Sequence, residues 1–251
     1  LLLGAGASAS SGVPTASQCI WEWKREIYLS GNPGLSPSLF LDITLPSTQQ
    51  KVQSWLDQQR HFPPLGDENE YIDYIEHCYP KSEDRSAYFK KRLAGVIPQS
   101  GYQLLAMLQN ANTFQWIWTT NFDRLVSQAR RPEHCCPLKE IGLDTSKRLR
   151  DIQNGEQSGC LVALHGDYRY DLLKNTSAET QQLDEELCNG LVGRVRTQPI
   201  VVIGYGGRDE SVMAALEASV KEKANGGGIY WCVLPNETLG ARTEALIATA
   251  K

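Results

Sequence analysis

The sequence predicts a doubly wound α/β fold with a helical insertion, and three observations carry that prediction. Short apolar runs recur at residues 1–3, 114–119, 160–164, 199–204 and 228–234, each bounded by turn residues. They are rich in Val, Ile, Leu and Trp, the pattern of strands buried on both faces of a parallel sheet. Helical patterns fall between these runs, which is the rhythm of strand–helix–strand units. Residues 31–97 break the alternation, with loop chemistry and three helix-like stretches. The expected architecture is a Rossmann-like, mostly parallel sheet built from residues 1–30 and 98–251. Residues 31–97 form a helical insertion subdomain.

Each element has its own signal. Leu1-Leu2-Leu3 is the first strand, and Gly4-Ala5-Gly6-Ala7-Ser8 turns out of it towards a helix over 16–29. Asn32-Pro33-Gly34 and Ser36-Pro37 are loop chemistry. Helices are expected near 48–59, 68–79 and 83–96. Tyr71, Ile72, Tyr74 and Ile75 give the second of these a broad apolar face, and Tyr71 and Tyr74 are read as exposed aromatics. This insertion is the candidate for a lid or a contact surface beside the nucleotide turn. The 114–119 strand leads into a helix at 122–130. Residues 131–158 are polar and weakly patterned and read as a long loop. A helix near 180–195 follows the 160–164 strand. Asp209 is placed to cap a helix over 209–223, whose apolar stripe is Val212, Met213, Leu216 and Val220.

A chain of 251 residues fits one large domain or one domain with a sizeable insertion. A hydrophobic fraction of 41% and six Trp supply a core. A net charge of −4 argues against direct nucleic-acid binding as the main role. No apolar run approaches the ~18 residues of a membrane span, and no secretory leader is expected ahead of the first strand. The seven Cys are odd in number and contain no C-x-x-C pair. Reduced thiols in a cytoplasmic protein are expected. Cys135-Cys136 is the only cluster, and adjacent cysteines make a poor metal clip, so no metal is expected. The chain opens inside a strand and closes in a helical pattern, which reads as a piece of a longer protein.

The chemistry-bearing residues stand at predicted strand ends, the edge where open α/β sheets hold ligands. Gly4-Ala5-Gly6 lets backbone N–H groups come close to a phosphate, although two glycines can equally make only a tight turn. The G-x-G-x-x-G fingerprint is not met, since Ala9 stands where its third glycine belongs. Asn121 follows the 114–119 strand, and its carboxamide can hold a water, a ribose hydroxyl or an amide. It can also simply cap the next helix. His165 is the one of four His that both ends a core strand and precedes a glycine. An imidazole there can take a proton from water or a hydroxyl, or can donate to a backbone carbonyl. Gly204-Tyr205-Gly206-Gly207 closes one strand, and Asn236 follows the last, placed either to reach a ribose or to cap a helix.

In this order the motifs resemble those of the sirtuin superfamily. The counterparts are Gly4-Ala5-Gly6-Ala7-Ser8 with Ser11-Gly12-Val13-Pro14, then Thr119-Thr120-Asn121-Phe122-Asp123, then His165-Gly166. Gly204-Tyr205-Gly206 and Leu234-Pro235-Asn236-Glu237 complete the set. The resemblance implies NAD as a substrate, with Asn121 and His165 catalytic. It assigns Gly4, Ala5, Gly6, Ser8, Pro14, Thr119, Asp123, Gly204, Tyr205, Gly206 and Asn236 to NAD binding.

Two departures separate the chain from deacetylating sirtuins. Thr15-Ala16-Ser17 stands where those carry Asp-Phe-Arg, and the zinc ribbon is missing, with only Cys188 and Cys232 after His165. The segments His165-Gly166-Asp167-Tyr168 and Gly204 to Asp209 are more similar to sirtuin-like effectors of bacterial antiphage systems. That resemblance implies an NAD glycohydrolase that drains cellular NAD. It also implies a homo-oligomer, with control by an Argonaute-like protein, an ATPase or a fused STAND-type sensor. An NAD-dependent protein deacylase and a non-catalytic NAD or ADP-ribose sensor are the alternatives.

Overall fold

The structure, a computed structural model, describes residues 1–67, 69–130, 135, 137–152, 159–165, 184–221, 227–235 and 237–250. Among these residues six strands form one all-parallel sheet: β1 (Leu2–Leu3), β2 (Trp116–Thr119), β3 (Leu138–Ile141), β4 (Gly159–Ala163), β5 (Ile200–Ile203) and β6 (Ile229–Cys232). Their order is β3-β4-β2-β1-β5-β6. The chain starts in the middle, lays β2 and the edge strand β3 on one side with β4 filling the place between them, then crosses β1 to place β5 and β6 on the other. The topological switch therefore lies between β1 and β5, at their C-terminal ends.

The pleat sorts the apolar side chains of each strand onto two faces. Leu2, Trp118, Val162 and Val202 share one core with α7 (Glu185–Thr197), α8 (Glu210–Lys221) and α9 (Ala241–Thr249). Helix α7 supplies Leu187, Leu191 and Val195 at fourfold spacing, each buried. Burying one such side chain contributes about 1.5–3 kcal/mol. Asp184 starts the helix by accepting from the N–H groups of Glu186 (3.0 Å) and Leu187 (3.2 Å). The opposite face packs Leu1, Leu3, Ile117 and Leu161 against α5 (Ser100–Asn110) and α6 (Leu125–Gln128).

A third core is helical. It joins α1 (Ala16–Gly31), α2 (Pro46–Gln59), α3 (Glu70–Cys78) and α4 (Ser82–Leu93). Thr15 and Gln18 form a capping box that fixes the start of α1. Helix α1 then buries Ile20, Trp23 and Ile27 with Val52, Leu56, Tyr74, Ile75 and Phe89. At its centre Lys24 is fully buried, ion-paired with Glu70 and hydrogen-bonded to Gln53 at 2.8 Å. The expectation of exposed aromatics is corrected here. Tyr74 is completely buried and Tyr71 is half-buried, with its ring 5.1 Å from that of Trp23.

Other elements also differ from expectation. The supposed loop 131–158 contains β3 and a 3-10 segment, Leu143–Asp151. Among the described residues strand β3 is an edge that pairs with β4 alone, so its Leu-Lys-Glu-Ile sequence needs just one face apolar. The helix expected at 122–130 shrinks to α6, because Arg124 takes a left-handed backbone at φ 60°. Among the described residues no helix is long and apolar enough to cross a membrane.

Candidate active site

The turn after β1 is held against the turn after β5, backbone on backbone. Gly4 N–H donates to Ile203 O at 3.0 Å and Gly6 N–H to Gly204 O at 2.8 Å. A Cβ on Gly204, whose φ is 64°, would lie 2.1 Å from Ala7 N. A Cβ on Gly4 would meet Tyr205 Cα at 2.5 Å. The glycines are thus required for close approach at the switch point. This revises the phosphate-cradle expectation, since the N–H groups of Gly4, Gly6 and Ala7 all have carbonyl partners. No α-helix starts directly from this turn either. A 3-10 segment, Ala5–Ser11, intervenes, and α1 is already capped by its own side chains. Gly6 is exposed, so its bare backbone remains open to a ligand.

A buried polar network ties this turn to the end of β2. Ser8 Oγ donates to the Asp123 carboxylate, which uses its only hydrogen. It therefore accepts from Tyr102 Oη at 2.6 Å and from Asn121 Nδ2 at 3.0 Å. Asn121 Nδ2 also donates to Gly4 O at 2.9 Å, and Asn121 N–H donates to Thr119 Oγ1 at 2.9 Å. Both amide hydrogens of Asn121 are committed, so its carbonyl oxygen is the group left to act. The helix-cap alternative for Asn121 does not hold. Asp123 Oδ1 instead accepts from Leu125 N–H at 2.9 Å. Burial pushes the Asp123 carboxyl up, partly offset by Ser8 and Leu125, and the net shift is upward. Tyr102, on α5, was not anticipated. Its signal was the helical spacing of Tyr102, Leu105 and Ala106, all buried on one face.

Thr119 pairs with Ala163 in register, so Asn121 and His165 stand two residues beyond matched positions on neighbouring strands. His165 is 7% exposed. Its Nε2 lies in close contact with Oδ2 of Asp209, and neither ring nitrogen makes a hydrogen bond of regular geometry to the described residues. Tyr205 is turned inward rather than towards a ligand. Its ring lies 5.7 Å from that of Trp231, and its backbone carbonyl accepts from Trp231 Nε1 at 3.0 Å. Gly206 is exposed beside it, and Pro14 is half-buried beyond the 3-10 segment. Gly166 and Asn236 lie outside the described residues.

A cavity of about 360 Å³ opens at the ends of β2, β3 and β4. Asn121, Asp123, Ala163, Glu140, Asp144 and Arg148 line part of it, so it is polar on the β3 side. Burial pushes the thiols of Cys19 up to about 11 and of Cys160 up to about 12, which disfavours the thiolate form of both near neutrality. Among the described residues no group of three or more His, Cys, Asp or Glu is placed to hold a metal ion.

The model of the SIR2-like domain matches residues 115–250, which include both Asn121 and His165. The chain belongs to the SIR2-like domain family. No curated protein matches it. The SIR2-like family is one of NAD-dependent enzymes, and membership implies NAD binding. The Gly4–Ser8 turn lies before the matched residues of this SIR2-like domain. The structure joins it to them through Asn121, which bonds Gly4 and Ser8 at once.

Proposed function

We propose that this SIR2-like domain is an NAD glycohydrolase, converting NAD and water to nicotinamide, ADP-ribose and a proton. The observation that carries the reading is the placement of Asn121 and His165 at matched ends of β2 and β4, beside the switch point. The pyrophosphate lies over the exposed backbone at Gly6. The nicotinamide ribose enters the cavity beside Asn121, where that carbonyl oxygen orients the attacking water. The bond from ribose C1′ to the ring nitrogen breaks through an oxocarbenium-like transition state, and nicotinamide leaves with the electron pair. Water adds to C1′ and gives its proton to His165 as general base. Asp123 supports the loop from beneath through Ser8 and Leu125.

Such an activity drains NAD, which suits the toxic effector of an antiphage system. It must then be held off, through assembly into an oligomer or through a sensing partner or fused domain. The helices α2–α4 are the surface for that control.

The test is release of nicotinamide from NAD with and without an acylated lysine peptide. Equal release in both conditions, lost in Asn121→Ala and His165→Ala, supports the reading. Release that depends strictly on the peptide replaces it with the deacylase, and tight NAD binding without turnover replaces it with a sensor.

A further inference from the structure

We infer that Asp209 is a positioning residue for His165, fixing which imidazole nitrogen serves as the base. The inference rests on the NAD glycohydrolase reading and deepens it. Asp209 follows β5, while His165 follows β4, and β2 and β1 lie between them in the sheet. Three strand spacings amount to ~14 Å. The turns at 164–165 and 204–209 must therefore lean across the ends of β2 and β1 to meet, and glycines with positive φ at 204 and 207 redirect the second.

The two carboxylate oxygens of Asp209 have separate duties. Oδ1 caps α8, accepting from Ser211 N–H (3.1 Å), Ser211 Oγ (2.8 Å) and Val212 N–H (3.2 Å). Those bonds fix the carboxylate, so Oδ2 is presented rigidly to His165 Nε2. A carboxylate only accepts, so the neutral imidazole carries its proton on Nε2. Nδ1 is then the unprotonated nitrogen. It is buried and faces no carboxylate among the described residues, which leaves its lone pair to accept from a donor. In the proposed reaction that donor is the attacking water, whose proton passes to Nδ1 as its oxygen bonds C1′.

Capping and positioning separate cleanly by substitution. Asn and Ser cap a helix about as well as Asp, but neither offers Nε2 a carboxylate. Asp209→Asn and Asp209→Ser are expected to melt near the wild type while kcat falls about 100-fold, with KM for NAD nearly unchanged. Nitrogen-15 spectra of histidine-labelled protein, assigned with His165→Ala, read the tautomer independently of turnover. The wild type should show Nδ1 unprotonated, and Asp209→Asn should lose that preference. Wild-type kcat in both variants, or an unchanged tautomer in Asp209→Asn, overturns the inference even if His165→Ala is inactive. A wild type that releases no nicotinamide, or a fully active His165→Ala, overturns the underlying reading instead.

Discussion

Asn121 Nδ2 donates to Ser8 Oγ at 3.0 Å across 113 positions of sequence. This bond joins the turn after β2 to the turn after β1, and Ser8 passes it on to Asp123 and Tyr102. Ser8→Ala leaves Asp123, Tyr102 and Asn121 each one partner short. We expect a loss of about 1–3 kcal/mol, read as a fall of several degrees in the thermal midpoint. An unchanged midpoint would show that water replaces the hydroxyl without cost.

The switch-point glycines differ in what surrounds them. Gly204→Ala meets backbone at 2.1 Å as well as an unfavourable φ, and should cost about 3 kcal/mol or more. Gly12 has φ 83° but nothing within 4 Å of a new Cβ. Gly12→Ala should therefore cost only the left-handed strain of about 1–2 kcal/mol. Denaturant midpoints of the two variants rank them, and equal losses would deny the backbone packing.

Much of this arrangement was legible beforehand, for identifiable reasons. Strands buried on both faces announce themselves, which is why β2, β4 and β5 were found, and edge strand β6 shows through its apolar Ile-Tyr-Trp-Cys sequence. Edge strand β3 needed only half that signal and was missed. The residue set at the strand ends was visible, but the partners were not. Asp209 was read as a helix cap, which it is. That its second oxygen reaches His165 depends on two turns leaning together over other strands, which no local pattern encodes. The Gly-Ala-Gly turn was legible as a position and misread in its physics, because its neighbour Gly204 is 200 residues away.

The Lys24–Glu70 pair is buried within the helical core. Lys24→Met alone strands a buried carboxylate and should cost about 3–5 kcal/mol. Lys24→Met combined with Glu70→Leu should recover most of that loss. A double variant no more stable than the single one would contradict the desolvation argument.

Stability at acid pH should report on Asp209. Burial pushes its carboxyl up, but His165, Ser211 and the Val212 N–H more than offset this and leave it below its ordinary 3.8. A carboxyl depressed in the folded state stabilises above its unfolded value, and that contribution is lost as pH falls through the folded value. Asp123, whose carboxyl is raised, has the opposite sign. Asp209→Asn should therefore flatten the loss of thermal midpoint below about pH 4. An acid limb as steep as in the wild type would remove Asp209 from it.

The central claim is hydrolysis of NAD at the ends of β2 and β4, and nicotinamide release in the absence of any acylated peptide tests it most directly. The measurement sets Asn121→Ala and His165→Ala beside the wild type. The account predicts release by the wild type and a loss of about 10²–10⁴-fold in His165→Ala. It also predicts that Asn121→Ala still binds NAD without turning it over. Wild-type release rates in either variant, with the fold intact, would contradict it.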